Sequence, residues 1–169
     1  PQTQDGFFWS KAAFGTKIKT PTEFINSSLR ALGAEVTSPA IPDANDRIGM
    51  HWFVRDDPDG WPEAGFEWMD TGSLLERIRF VQRLAGNLEP QMTWSVDALV
   101  NALPDKSAEG ILDYFDRLLY RGGISPAQRA ILLRYANTNE NGSPAPLEPG
   151  QPDYQPRVRD LVALMLSMP

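Results

Sequence analysis

Residues 70–86, DTGSLLERIRFVQRLAG, spell an amphipathic helix with both ends marked. Asp70 stands where a short oxygen-bearing side chain caps a first turn, and Gly86 stands where a helix stops. Between them Leu74, Ile78, Val81 and Ala85 share one face at helical spacing, and Leu75, Phe80 and Leu84 widen it. Immediately upstream, 53–72 reads FVRDDPDGWPEAGFEWMDTG; its two prolines and three glycines forbid a continuous helix. Further upstream, Thr20-Pro21-Thr22-Glu23 is a complete start signal, with Thr at N-cap, Pro at N1 and Glu at N3. Ile25, Leu29 and Leu32 then share a face and Gly33 ends the run. Between these two helices, IPDANDRIGMHW at 41–52 pairs Ile48 with Trp52, although Gly49 interrupts the pattern.

Downstream the same signals repeat. Ser95 caps a short helix with Val96, Leu99, Val100 and Leu103 on one face, and Trp94 and Leu99 occupy the two positions of a hydrophobic staple. Ser107 caps ILDYFDRLLY, where Ile111, Phe115 and Leu118 are expected inward and Asp113–Arg117 forms an i,i+4 pair. Gly122 and Gly123 end that helix, and Ser125-Pro126-Ala127-Gln128 opens the next with a second capping box. Residues 138–153 are polar and proline-rich; a last helix near 156–167 places Val158, Leu161, Val162 and Met165 on one face. No stretch alternates with period 2. The expected architecture is one all-α domain over 1–169: about seven short amphipathic helices around one core, long loops near 53–72 and 138–153, and no sheet.

Composition narrows the function. The 169 residues contain no cysteine and one histidine, which excludes disulfides, thiolate chemistry and a multi-histidine zinc site. The net charge of −6 argues against general nucleic-acid binding, which needs a basic face. No run approaches the roughly 18 apolar residues of a membrane span, and the start shows no leader pattern. That start also lacks an initiator Met, so the chain is expected to be a piece of a longer protein. No phosphate-cradling glycine motif or nucleophile elbow occurs, and Lys11, Lys17 and Lys19 read as a solvent-facing basic run.

The negative charge is localised. Residues 43–70 carry Asp43, Asp46, Asp56, Asp57, Asp59, Glu63, Glu67 and Asp70 against only Arg47 and Arg55, a surplus equal to the −6 of the whole chain. The same segment holds His51, Trp52, Trp61 and Trp68. Carboxylates beside indoles suit a ligand site in which Trp61 and Trp68 stack while Asp57, Asp59, Glu63, Glu67 and His51 take hydroxyls or a cation. Paired carboxylates there would also serve glycoside hydrolysis. The competing reading is a solvated acidic loop pinned to the core by its tryptophans. His51 alone has the chemistry of a general base, against an ordinary surface histidine.

Calcium offers a further pair of readings. Asp57-Pro58-Asp59-Gly60 imitates part of an EF-hand loop, but Arg55 and Phe66 fall where its first and last ligands belong. Asn137, Asn139, Asn141, Gly142 and Glu148 match positions 1, 3, 5, 6 and 12 of that pattern. Asparagines there neutralise no charge, and Pro144 and the Pro149–Pro152 run break the motif, so a turn-rich linker competes with a calcium site.

KTPTEFINSSLRALGAEV, GWPEAGFEWMDTGSLLERIRFVQRLA, SPAQRAILLRYA and RVRDLVALMLSMP, in that order, resemble the carboxy-terminal part of the bacterial family named domain of unknown function 1800 (DUF1800). The positions carrying the resemblance include Glu23, Phe24, Arg30, Gly33, Gly60, Trp61, Pro62, Trp68, Leu75, Arg77 and Phe80. The resemblance implies a mostly helical protein, an export leader on the parent chain, and an extracytoplasmic setting near polysaccharide or the cell surface. It carries over no catalytic residue. Arg30 and Arg77, on helices near the acidic loop, are expected to bridge to its carboxylates. The functional expectation is a helical, non-enzymatic binding or assembly module of an exported bacterial protein, without a resident cofactor and acting on polysaccharide or another envelope protein. A polysaccharide hydrolase using carboxylates of 51–70 and a calcium-stabilised module are the alternatives.

Overall fold

A computed structural model describes residues 17–37, 39–54, 58, 60–62 and 65–168. Its described residues form seven α-helices: α1 Pro21–Leu32, α2 Ala40–Ile48, α3 Thr71–Ala85, α4 Val96–Val100, α5 Ala108–Phe115, α6 Pro126–Ala136 and α7 Tyr154–Ser167. A 3-10 turn at Gly65–Trp68 precedes α3, and a π-helical turn at Asp116–Tyr120 extends α5. None of these helices is long and apolar enough to cross a membrane.

The helices begin and end where short-range chemistry dictates. At α1, Thr20 accepts the Glu23 N–H and the Glu23 carboxylate accepts the Thr20 N–H, completing the capping box. Gly33 takes φ 58°, the left-handed conformation that closes a helix cheaply only with glycine. Asp70 Oδ1 accepts the N–H groups of Gly72 and Ser73 at 2.8 and 3.0 Å and so starts α3. Ser95, Ser107 and Ser125 cap α4, α5 and α6. The far end of α3 is finished from a distance: Trp94 Nε1 donates to the carbonyls of Leu84 and Ala85. Arg159 of α7 also donates to Ala85 O at 3.1 Å, and its guanidinium lies 5.1 Å from the Trp94 ring.

The core is one cluster. α3 packs along α7 and against α2, α2 packs on α1, and α6 bridges α5 and α7. Ile25, Phe80, Val81, Leu84, Ile111, Phe115, Leu161 and Met165 are fully buried at its centre. Each such side chain contributes about 2 kcal/mol of burial free energy.

Several expectations are corrected. The sheet-free description gives way to a small antiparallel ladder, Glu35–Val36 against Met92–Thr93, with Glu35 opposite Thr93 and Val36 opposite Met92. Two residues per strand leave no alternation to read. The inward face of α3 is Ser73, Arg77, Phe80, Val81, Leu84 and Ala85, while Leu74 and Leu75 are exposed and Ile78 is half-buried. Two of the inward positions are polar, so hydropathy alone rotates the face; backbone carbonyls accept the Ser73 hydroxyl and Arg77 Nη2, while Arg77 Nε is buried without a hydrogen-bond partner. Leu118 points outward, because the π-helical turn shifts the register set by Ile111 and Phe115. Asp113 pairs with Arg129 of α6 at 2.6 Å, and Arg117 donates instead to the Asp113 carbonyl.

Candidate functional site

The segment between α2 and α3 is held by side chains from three elements. Trp52 Nε1 donates to Thr22 Oγ1 at 3.1 Å, and that hydroxyl donates to Asn45 Oδ1 at 2.7 Å, tying the segment's start to α1 and α2. At its end Trp68 is buried and its indole N–H donates to the Pro62 carbonyl at 3.1 Å. Trp61 is half-buried against it, the ring centroids 5.6 Å apart and the planes tilted by 38°. Arg77 closes the arrangement. Its Nη2 donates to Lys19 O at 2.9 Å and lies 3.5 Å from Trp68 O, and the guanidinium sits 5.0 Å from the Phe24 ring. Arg77 therefore fastens the loop through carbonyls rather than the expected carboxylates; burial lowers its pKa and the nearby Asp70 offsets this. Arg30 is exposed in the last turn of α1.

Around these anchors the segment presents apolar side chains to solvent. Phe53 is fully exposed and Phe66 is 71 % exposed, and Val54 and Met69 are exposed as well. Ile18 meets the same region, since a Cβ at Gly65 would stand 2.8 Å from Ile18 Cβ. Leu74 and Leu75 at the start of α3 are exposed as well. Phe53 also holds φ 61°, a left-handed conformation that costs a bulky residue about 1 kcal/mol or more. Glu67 is exposed beside Phe66.

The predicted residues of this segment thus separate. Trp61 and Trp68 come together. His51 is exposed and lies 3.3 Å from Asp46 of α2 (Nδ1 to Oδ1). Asp57, Asp59 and Glu63 lie outside the described residues. The sequence reading missed the exposed Phe53 and Phe66. Its only available signal was their place among prolines, glycines and acids rather than in an apolar period.

The segment between α6 and α7 closes on itself. Asn137 Oδ1 accepts the Leu147 N–H at 3.0 Å, and Asn139 Oδ1 accepts those of Asn141 and Ser143 at 3.1 and 2.8 Å. Gly142 takes φ 78° at the turn, and Leu147 is buried in the core. Arg157 of α7 donates to the carbonyls of Ala136 and Ala145. The oxygens of Asn137 and Asn139 are therefore engaged as acceptors for backbone N–H groups of their own loop. Asn141 and Glu148 are exposed. Among the described residues no three acidic or histidine side chains cluster as a metal site.

No curated protein and no solved structure matches this chain. A family model described as "Protein of unknown function (DUF1800)" matches residues 3–169, which is where the ordered motifs also lie. On that match, essentially end to end, the chain belongs to the DUF1800 family of proteins of unknown function.

Proposed function

We propose that this chain is a helical assembly module of an exported bacterial protein, and that the exposed apolar side chains of Phe53, Phe66, Leu74 and Leu75 dock onto another envelope protein. The observation that carries the reading is Phe53: a fully exposed phenylalanine in a left-handed conformation, on a segment otherwise anchored by Trp52, Trp68 and Arg77. Exposed apolar groups on a fixed frame lose little entropy on binding, which favours association. Residues 43–70 carry the chain's whole surplus of acids, so the complementary partner surface is apolar with a basic rim. Sugar stacking on a pair of indoles is the weaker alternative, because Trp68 is buried and bonded to Pro62 and Trp61 is half-buried against it.

Site-specific photocrosslinking in the producing bacterium tests this. A crosslinker at position 66 is expected to trap a protein whose contact surface is basic; a crosslinker at Glu109, remote on α5, is expected not to. Phe53→Ser should abolish the adduct. Equal trapping from both positions, or an adduct indifferent to Phe53→Ser, would refute the docking surface.

A further inference from the structure

The docking reading asks for a partner surface that is apolar and basic, and the chain carries one itself. Residues 117–139 hold Arg117, Arg121, Arg129 and Arg134 and no Asp or Glu, the longest acid-free stretch of the sequence. Its middle is α6, where only Leu132 and Ala136 are buried. The outer side of α6 is not polar. Ala127, Ile131 and Tyr135 follow one another at i, i+4 and i+8, and Ile131 is 56 % and Tyr135 49 % exposed. A helix that is apolar on a second side buries that side only against a second neighbour; α5 and α7 supply the first.

The charge around this face leans positive. Arg134 is exposed next to Tyr135 in the last turn. The acids within reach are engaged or discharged. Asp113 of α5 pairs with Arg129 at 2.6 Å, and Asp116 accepts the Ile124 N–H at 3.2 Å. Asp160 of α7 interacts with Tyr135, and burial raises its pKa. The segment before α3 shows the reverse. Phe53 and Phe66 stand in water, and Asp43, Asp46, Glu67 and Asp70 are exposed on the same stretch of chain. Arg47, its described arginine, is taken by Glu89 at 2.6 Å. Two apolar surfaces of opposite charge complement each other. Both are exposed in one molecule, the first on α6 and the second anchored to α1, α2 and α3, so they meet only between two molecules.

We propose that the protein docking on Phe53 and Phe66 is a second copy of this chain, its α6 face apposed to the acidic segment, with Ile131 and Tyr135 against the phenylalanines and Arg134 against the carboxylates. This rests on the docking reading above and names its occupant. The two surfaces differ, so the contact is head to tail and leaves each copy one surface free for a further copy.

The chain has no cysteine, so an introduced thiol is unique. Whole chains carrying Phe53→Cys or Phe66→Cys are mixed, under mild oxidation, with whole chains carrying Ile131→Cys or Tyr135→Cys. A mixed disulfide is expected from at least one pairing, in excess over the like-with-like disulfides of either parent. Arg134→Glu in the second chain should lower its yield about fivefold, high salt should lower it too, and Glu109→Gln should leave it unchanged. All these positions are exposed, so melting temperatures should stay near the parent's. No excess of mixed disulfide, or an excess indifferent to both Arg134→Glu and salt, overturns the proposal. The crosslinker at position 66 separates this inference from the reading beneath it. An adduct with a different protein overturns the second copy and leaves the docking surface standing; no adduct at all removes both.

Discussion

The segment between α2 and α3 and the segment between α6 and α7 are each fastened by one arginine that donates to backbone carbonyls. Arg77 reaches Lys19 and Trp68; Arg157 reaches Ala136 and Ala145. From there they diverge. The later segment satisfies its own backbone through Asn137 and Asn139 and plugs the core with Leu147. The earlier one borrows its partners from α1, α2 and α3 and leaves Phe53 and Phe66 in water. A loop that meets its own hydrogen-bonding needs is a connector. A loop fastened at Trp52 and Trp68 from outside, with Phe53 and Phe66 in water, is the basis for proposing a contact surface.

The contrast can be broken in order of size. Arg77→Ala removes a buried guanidinium that joins two chain segments, and should cost about 3 kcal/mol in chemical denaturation. Arg157→Ala strikes a more accessible clamp on a loop with internal support, and should cost about 2 kcal/mol. Equal losses would mean that the two segments do not differ in their dependence on outside anchors. Asn139→Ala deletes the acceptor of two backbone N–H groups, and about 1 kcal/mol is expected, with faster amide exchange at Asn141 and Ser143 and none at Gly72.

Acid should distinguish the segments too. Backbone N–H groups of Ser73 and Gly72 hold the Asp70 pKa below its ordinary value. Because the folded pKa is the depressed one, the stabilisation is present above the unfolded value of about 4 and is lost as pH falls through the folded value. Asparagine caps do not titrate. Amide exchange in the first turn of α3 should therefore accelerate below about pH 4 while exchange at Asn141 does not follow it, and Asp70→Asn should flatten the response. Glu23 and Asp105, depressed in the same direction, supply the acid-dependent background against which that variant is read. The smallest effect on stability belongs to Phe66→Ser, within about 0.5 kcal/mol, since the ring is exposed. A large loss there would show that Phe66 supports the fold and does not serve a partner.

Five of the seven helix starts among the described residues were legible in the sequence, because a cap is settled within four residues; α2 and α7 begin without a side-chain cap. Thr20, Asp70, Ser95, Ser107 and Ser125 all cap where they were expected to. The inward face of α7 was legible as well: Val158, Leu161, Val162 and Met165 are all buried. At the candidate site, sequence singled out Trp61 and Trp68, which lie side by side with ring centroids 5.6 Å apart, but it did not find the exposed phenylalanines. A residue's exposure depends on what comes to cover it.

Sequence by itself thus determined the helical class, the cap positions and the placement of the acidic surplus, all properties of neighbouring residues. Tertiary structure decided which face of α3 turns inward, that Arg77 seeks carbonyls rather than carboxylates, and that Glu35–Val36 finds Met92–Thr93. Each of these rests on a partner distant along the chain, and a polar side chain or a two-residue strand becomes stable in the interior only once that partner has arrived.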